Sequence, residues 1–352
     1  MDLANTTPLT AQLLVGQTDD PDLRAGCLVA KATYRFNNNG DLLMDLERPA
    51  PVLIADQETP LGLLPRDDLL FCQQHLEVIL LGSAKAPGGA RQLEVALTVD
   101  DQRRTLCVSG DRFWEPATGR ATEAAPFASM PLTWERAFGG AQETWLTADS
   151  SVDVPHALNP AGRGFDPEPL IRGLTRGIYT ADTYPRWDRL RPLPNVEAPG
   201  RQVTSPDDDP PPTCWAPAPL DSALFLARLG GVVQDQGQDV QPPDTAALAA
   251  RAMHPEVLHR AHPTWVIPPP PARGTAVIME GLTAWGRAAF TLPSPRLACD
   301  WRLGDHVGQR TLHLARLVLL PDEARFYLVY FCRFTYRRKP GQTRALRLRL
   351  ES

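Results

Sequence analysis

The sequence lacks the features that mark secreted, membrane-spanning and zinc-binding chains. Its first residues carry neither the positive segment nor the apolar core of a signal peptide. No run of about 18 apolar residues occurs, so no membrane span is expected. The six cysteines, at positions 27, 72, 107, 214, 299 and 332, show no Cys-x-x-Cys spacing, and we interpret them as reduced, mostly buried thiols of a cytoplasmic protein. The net charge of -5 gives no reason to expect nucleic acid as a partner.

Catalytic and cofactor-binding motifs are missing as well. There is no Gly-x-Ser-x-Gly nucleophile turn and no phosphate-binding loop, and Gly88-Gly89 predicts a turn before a strand. The run Asp207–Asp209 lies between prolines, in an exposed loop without the pattern of a calcium site. We therefore expect a protein that is not an enzyme and that holds no metal or cofactor.

One cluster of metal-ligand residue types remains, formed by His254, Glu256, His259 and His262. On a helix, His254 would lie well away from His259 around the axis, and prolines bracket the segment. We interpret the cluster as the polar end of a surface helix, since the spacing of a metal site is absent.

Proline is abundant, at 36 residues, about twice the average usage of roughly 5%, and this disfavours long helices. Strand patterns dominate instead. Alternation from Leu28 to Phe36 predicts a half-buried strand, and Asn39-Gly40 predicts a hairpin turn into a return strand over 42–46. The apolar run from Leu76 to Leu81 predicts a strand that is buried on both faces.

Further hairpins are predicted over 93–99 with 106–108, over 276–282 with 287–292, and over 312–320 with 325–336, before a last strand at 346–350. About ten strands result. The predicted fold class is mainly β, a β-rich α+β fold with antiparallel sheets packed as sandwich or barrel-like units, few short helices and long ordered loops.

Helical patterns are short. Two turns are predicted from Trp134 to Phe138, with Gly139-Gly140 as the stop, and longer helices over 220–229 and 245–259. The last two fall in a proline-rich middle region, where we place a soft boundary. The chain then divides into an N-terminal β-rich domain (1–205), a connecting region (206–271) and a C-terminal antiparallel β region (272–352). Strands of the last region are free to join the sheets of the first.

The most distinctive stretch is 108–165, where Arg, Trp, Phe, Gly and Pro interleave without helical or strand periodicity. Arginine carries five donors in a planar fork, so it can tie several loop carbonyls and a carboxylate together. We predict a structural loop lock made of seven residues: Asp111, Arg112, Trp134, Glu135, Arg136, Asn159 and Arg163. The alternative is an acid/base site in the 111–163 region, because charges among aromatic side chains often have shifted pKa values.

Positive charge concentrates at the carboxyl end of this otherwise acidic chain. The residues of interest are Arg333, Arg337, Arg338, Arg347 and Arg349. Two interpretations stay open. One is a solvated strand face that prevents sheet-to-sheet aggregation, and the other is a partner-binding surface that steers an acidic protein.

Seven short motifs occur in the order found in one bacterial family. They lie at 5–9, 29–34, 55–56, 82–89, 108–165, 193–197 and 321–325. Over nearly its whole length the chain resembles the domain-of-unknown-function 2169 family. It departs from the family pattern at Cys72–His75, where a Lys-Pro phrase is usual, and in the proline-rich region 207–271.

The resemblance implies a function, because members of this family are linked to type VI secretion. It implies a cytosolic, non-catalytic chaperone or adaptor that stabilises a toxin effector by binding its N-terminal spike-associated region. Such a protein helps load the effector onto the PAAR-tipped VgrG spike, so PAAR or VgrG protein is a further expected partner. Two other functions stay open: a hydrolase-like enzyme, and a carbohydrate-binding β-module suggested by the eight tryptophans. An enzyme would gather titratable side chains in a pocket, whereas a chaperone would expose an apolar patch or an open sheet edge.

Overall fold

A computed structural model describes most of the chain. The described residues are 2–18, 20, 22–68, 75–115, 120–147, 150–167, 191–217, 258–268, 274–303, 306–337 and 344–351. The two longer helices predicted at 220–229 and 245–259 lie outside this part of the chain, apart from Leu258 and His259, the first of which is helical.

Twenty-six strands are described, many more than the ten expected. Nine of the unpredicted strands have two to four residues and carry no recognisable alternation, whereas seven have five to eight residues and were missed. In chain order they are β1 (Asp2–Asn5), β2 (Thr10–Gln17), β3 (Leu23–Phe36), β4 (Leu42–Met44), β5 (Gln57–Thr59), β6 (Gly62–Leu64), β7 (Leu76–Leu80), β8 (Ser83–Ala90), β9 (Gln92–Val99), β10 (Gln102–Ser109), β11 (Phe113–Trp114), β12 (Phe127–Pro131), β13 (Phe138–Gly139), β14 (Ala141–Thr147), β15 (Ser150–Pro155), β16 (Arg163–Gly164), β17 (Arg191–Pro192), β18 (Val196–Glu197), β19 (Val266–Ile267), β20 (Ala276–Thr283), β21 (Gly286–Thr291), β22 (Leu297–Leu303), β23 (His306–Thr311), β24 (His313–Leu320), β25 (Arg325–Arg337) and β26 (Arg344–Leu350).

Three sheets carry the fold, which is mainly β as predicted. The central sheet has the order β19-β7-β24-β25-β3-β2, with β4 also paired to β3. The five-stranded sheet has the order β18-β10-β9-β20-β21, and the C-terminal sheet has the order β1-β26-β22-β23. Most pairings are antiparallel, but β7 with β24, β1 with β26 and β13 with β16 are parallel. Strands from both sides of the middle region share each of these sheets.

Aromatic side chains join the three sheets into one core. The ring of Phe290, on the five-stranded sheet, lies 5.1 Å from Phe36 and 4.8 Å from Phe326, both on the central sheet. Trp301, on the C-terminal sheet, stacks on Phe334 of the central sheet at 6.1 Å. These contacts bury large apolar surfaces. Because side chains alternate between the two faces of a strand, the positions of the aromatic residues decide which face of each sheet packs against its neighbour.

The hairpins predicted at 93–108, 276–292 and 312–336 and the doubly buried strand β7 are confirmed. The prediction of a half-buried β3 is wrong, because Lys31 and Thr33 on its polar face are buried as well. The segment that follows β4 covers this face, and the backbone N–H of Ala50 donates to the Thr33 hydroxyl at 2.9 Å.

Two local predictions are also wrong. The segment from Trp134 forms a single 3-10 turn, Trp134–Arg136, and the chain then enters β13 instead of continuing as a helix. Gly88-Gly89 lies within β8 and not in a turn. Other described 3-10 turns are Pro263–Trp265 and Pro321–Glu323. Over the described ranges, no helix has the length and apolar character that crossing a membrane requires.

Candidate functional site

Asn195 lies at the centre of the contacts made by the loop lock and is fully buried. Its side-chain nitrogen donates to the Ser109 carbonyl and to the Asp111 carboxylate, both at 3.1 Å. Its side-chain oxygen accepts from the guanidinium groups of Arg136 at 2.9 Å and Arg163 at 3.2 Å. Its backbone N–H donates to the Arg136 carbonyl and its carbonyl accepts from the Ser109 N–H, both at 2.8 Å. The Asn195 side chain therefore joins four separate points of the loops.

Arg112 contacts the segment on either side of Asn195. Its guanidinium pairs with Glu197 at 2.8 Å and donates to the Pro194 carbonyl at 3.3 Å. The second oxygen of Glu197 accepts from the backbone N–H of Val203 at 2.7 Å. Burial raises the pKa of Glu197 above its ordinary value, although Arg112 and the Val203 N–H favour the charged form. The pair holds β18 and the segment after it against the loop between β10 and β11.

Asn159 forms hydrogen bonds to the backbone of the turn at residues 134–140. Its side-chain nitrogen donates to the carbonyls of Trp134 and Phe138, both at 2.9 Å, and its carbonyl accepts from the Gly140 N–H at 2.8 Å. The indole N–H of Trp134 donates in turn to the Ala216 carbonyl at 3.1 Å. Each of these groups is buried, so the hydrogen bonds satisfy loop backbone that has no sheet partner.

Glycine is required where these loops cross. Gly139 and Gly140 have φ of +134° and +105°, and a Cβ on Gly139 would lie 2.2 Å from the Asn159 carbonyl oxygen. The Arg163 side chain donates to the Glu135 carbonyl at 2.8 Å. Glu135 thus contributes its backbone to the lock, while its side chain is exposed. The structure therefore brings all seven residues of the loop lock into one network of loops.

Sequence reasoning missed Asn195 and Glu197 as members of this network. Both lie in 193–197, one of the seven motifs that carry the family resemblance. The sequence shows only that an Asn and a Glu flank Val196 in a stretch without alternation. The structure buries both, and buried polar groups are nearly always hydrogen-bonded.

Truncating the arginines of the lock is expected to cost moderate stability. A fully buried guanidinium would imply about 2 to 4 kcal/mol. The Arg136 and Arg163 side chains are 28% and 26% exposed, so we expect about 1 to 2 kcal/mol for Arg136→Ala or Arg163→Ala. Urea unfolding measures the effect, with the exposed Arg201→Ala as the control. Urea midpoints of both variants equal to that of the control would show that these arginines do not stabilise the fold.

The His156 ring packs edge-on against Phe138 and Phe165, next to Asn159 of the loop lock. Its Nδ1 accepts from the backbone N–H of Asn159 at 3.1 Å, so its Nε2 carries the proton and donates to Asp209 at 3.2 Å. Burial lowers the pKa of His156 below its ordinary value, and Asp209 only partly opposes this.

The lowered pKa of His156 predicts acid sensitivity. The unfolded histidine binds a proton below about pH 6.5, whereas the folded one resists protonation, so stability is fully present above that value and declines as the pH falls towards the folded pKa. His156→Asn keeps an acceptor near the Nδ1 position and should flatten the decline. Urea midpoints between neutral pH and about pH 5 measure it. An equal decline in both proteins would contradict the assignment.

A second polar centre lies in the central sheet and was not predicted. We call it the buried ion cluster, and it comprises Lys31, Asp67, Glu77 and Arg316, each at most 2% exposed. Lys31 pairs with Asp67 at 2.7 Å, and Arg316 contacts Asp67 at 3.4 Å and Glu77 at 2.7 Å. Two cations and two carboxylates alternate, so each charge has a close opposite partner.

The cluster attaches two loop segments to the sheet. Asp67 lies on the segment between β6 and β7, and its carboxylate also accepts from the Leu53 N–H at 2.7 Å. The other oxygen of Glu77 accepts from the backbone N–H groups of Arg260 and Ala261. Burial alone would raise the pKa of Glu77, but Arg316, His259 and the Arg260 N–H hold it well below its ordinary value.

The signal for this cluster was visible in the sequence. Glu77 interrupts the apolar run Leu76–Leu81, and Arg316 interrupts the apolar run 314–320. A charge within a strand that is buried on both faces requires a buried partner. The sequence does not say which residue that partner is.

The candidate metal cluster is not assembled in the described part of the chain. His259 is buried 3.6 Å from Glu77, whereas His262 accepts from the Thr264 N–H at the start of a 3-10 turn. His254 and Glu256 lie outside the described residues. Within the run 207–209, Asp208 accepts from the backbone N–H groups of its own turn, at residues 204 and 205.

The carboxyl-terminal arginines fall on two sheets. Arg333 and Arg337 lie on β25 of the central sheet and are exposed, on the face opposite to Phe334 and the C-terminal sheet. Arg347 and Arg349 lie on the outer face of the C-terminal sheet, because the alternate residues of β26 are buried. The Arg349 side chain pairs with Asp300 at 2.8 Å. Arg338 lies outside the described residues.

The central sheet ends in an edge formed by β2 and β4, which both pair with the same side of β3. In the described part of the chain, no strand pairs with the outer side of β2. The eight residues of β2 include no charge and no proline. Val15 on β2 and Leu43 on β4 are 51% and 62% exposed. This edge therefore presents unpaired backbone groups and apolar side chains together.

Comparison with known proteins identifies the family. A family model described as "uncharacterized protein conserved in bacteria (DUF2169)" matches residues 23–330. No curated protein and no solved structure matches the chain. The match spans most of the chain, including the loop lock, the buried ion cluster, β3 and β4, whereas β2 lies outside it. The chain therefore belongs to the DUF2169 family of bacterial proteins.

Proposed function

We propose that this protein is a non-catalytic, cytoplasmic chaperone or adaptor that binds and stabilises a type VI secretion effector. The open edge formed by β2 and β4 is the observation that carries the proposal. An extended segment from the N-terminal, spike-associated region of the effector adds to this edge as a further strand. The complex then delivers the effector to the PAAR-tipped VgrG spike.

The chemistry of the edge suits such a partner. Natural edge strands usually carry a lysine, a proline or a bulge that prevents pairing, and β2 has none of these along its eight paired residues. Backbone hydrogen bonds would supply affinity, and the half-buried Leu13 and Leu14 with exposed Val15 would select apolar side chains. Covering the apolar segment of an effector lowers the free energy of its bound, folded form and protects it from proteolysis.

Deletion of the gene tests the function directly. We expect the abundance of the effector encoded beside it to fall, while delivery of other effectors continues. The purified protein should bind that effector and slow its digestion by a protease. Unchanged abundance and delivery, together with no binding to any encoded neighbour, would reject the proposal and justify a substrate screen for an enzyme.

Two arginines give the site an electrostatic component. Arg333 and Arg337 lie on the same sheet as β2 and are exposed, two strands from the edge. We expect them to steer an acidic effector, so Arg337→Glu should slow association and weaken its salt dependence while dissociation stays the same. Arg347→Glu, on the C-terminal sheet, is the matched control. An equal effect of both variants would assign the steering to net charge alone.

A further inference from the structure

The outer side of β2 is suited to pair with itself. In an antiparallel pair, residues that lie opposite each other point to the same face of the sheet. Within one strand, residues on the same face are an even number of positions apart. In a two-fold symmetric pair of β2 strands, one residue therefore lies opposite its own copy and marks the centre of the pair. Centring it on Leu13 places Ala11 opposite Val15 of the second copy, and Val15 opposite Ala11.

This register gives an apolar row on one face. Ala11 and Leu13 are half-buried against the core of their own chain, and Val15 is 51% exposed until a neighbour covers it. On the other face, Gln12 lies opposite Leu14 of the second copy. No charge becomes buried anywhere along the pair, because β2 contains none.

We infer that two copies of this chain pair through β2 when no effector is bound, in an antiparallel register centred on Leu13. This inference rests on the proposed function, since the second copy and the effector segment use the same backbone groups. The homodimer is the resting form that keeps the open edge from aggregating, and effector binding replaces it with a one-to-one complex. The contact is one strand pair wide, so the dimer is weak and exchanges readily.

The mass of the purified protein over a wide concentration range tests the pairing. We expect it to rise towards twice the 38.7 kDa of one chain. Val15→Lys should raise the dimer dissociation constant by at least about tenfold, because a lysine on an edge strand opposes pairing. Val307→Lys is the matched control, since Val307 is 73% exposed on β23, an edge strand of the C-terminal sheet. Equal loss in both variants would overturn the inference.

Crosslinking tests the register. Only Leu13 lies opposite its own copy, so Leu13→Cys should form an intermolecular disulfide when diamide oxidises the two thiols. Val15→Cys, although more exposed, lies opposite Ala11 and should crosslink much less. Crosslinking of Val15→Cys equal to that of Leu13→Cys would reject this register.

The two proposals fail separately. A protein that stays monomeric at every concentration and still binds the effector overturns the pairing and leaves the function intact. A dimer that no encoded effector dissociates or binds overturns the function and leaves the pairing intact.

Discussion

Glu77→Ala is expected to destabilise the protein by about 3 to 5 kcal/mol, the usual cost of removing one partner from a buried ion pair. The Glu77 carboxylate is fully buried and pairs with Arg316 at 2.7 Å. It also accepts from the backbone N–H of Ala261 at 3.2 Å. Without it, a guanidinium and buried N–H groups lose their partner in a region that water does not reach. Urea unfolding at neutral pH measures the loss.

Two comparisons separate the charge from the packing. Glu280→Gln removes an exposed carboxylate that pairs with Arg103, and it should cost at most about 1 kcal/mol. The double variant Glu77→Met with Arg316→Met removes both charges, and it should be more stable than Glu77→Ala. A Glu77→Ala protein as stable as Glu280→Gln would show that the ion cluster contributes little.

The same carboxylate gives an acid dependence with a defined sign. The pKa of Glu77 lies well below its ordinary value in the fold, whereas the unfolded residue titrates near about pH 4.3. The contribution of Glu77 is therefore fully present above that pH and is lost as the pH falls, because only the unfolded chain takes up the proton. Urea midpoints below about pH 5 should fall less steeply in the double methionine variant than in the parent protein.

Asn195→Ala is expected to cost about 3 to 5 kcal/mol, more than either arginine of the loop lock. The change removes four side-chain hydrogen bonds, to Ser109, Asp111, Arg136 and Arg163. The guanidinium groups of the two arginines are partly exposed, so water can replace the lost hydrogen bonds. The Ser109 carbonyl is buried, so it is left without a partner for the lost amide.

Thermal and urea unfolding measure this loss, and Asn38→Ala, on an exposed turn, is the control at about 0.5 kcal/mol or less. Asn195→Asp keeps the acceptor for the arginines but turns a carboxylate oxygen towards the Asp111 carboxylate and the Ser109 carbonyl, so it should not restore the stability of the parent protein. A melting temperature of Asn195→Ala equal to that of the control would mean that the loops are held by other contacts.

Secondary structure was largely predictable because the alternation of the long strands is a local property. Residues 76–81, for example, form a largely apolar run that predicts a doubly buried strand, and β7 is such a strand. The loop lock was also recognisable, since an arginine-, glycine- and proline-rich stretch without periodicity needs side-chain hydrogen bonds. The short strands were not, because two or three residues carry no period, and seven strands of five to eight residues, β2 among them, were not predicted either.

Ion pairs between residues that are distant in sequence could not be predicted. Lys31 sits on the polar face of an alternating strand, and the sequence gives it the appearance of a solvent-facing residue. The structure buries it, because Asp67, from a segment 36 residues further on, covers that face at 2.7 Å. Such a pairing depends on where a loop crosses a sheet, and no local pattern records that.

By itself the sequence determined a mainly β protein of the DUF2169 family with charged residues inside apolar runs, and it predicted a loop lock within 108–165. Only the tertiary structure decided that Asn195 joins the loops, that Glu77 and Arg316 pair, and that β2 forms the open edge of the central sheet. The physical reason is that periodicity and propensity act between near neighbours in the chain. Sheet order, edges and buried ion pairs join residues that are distant in sequence, so they follow from how the sheets close around one core.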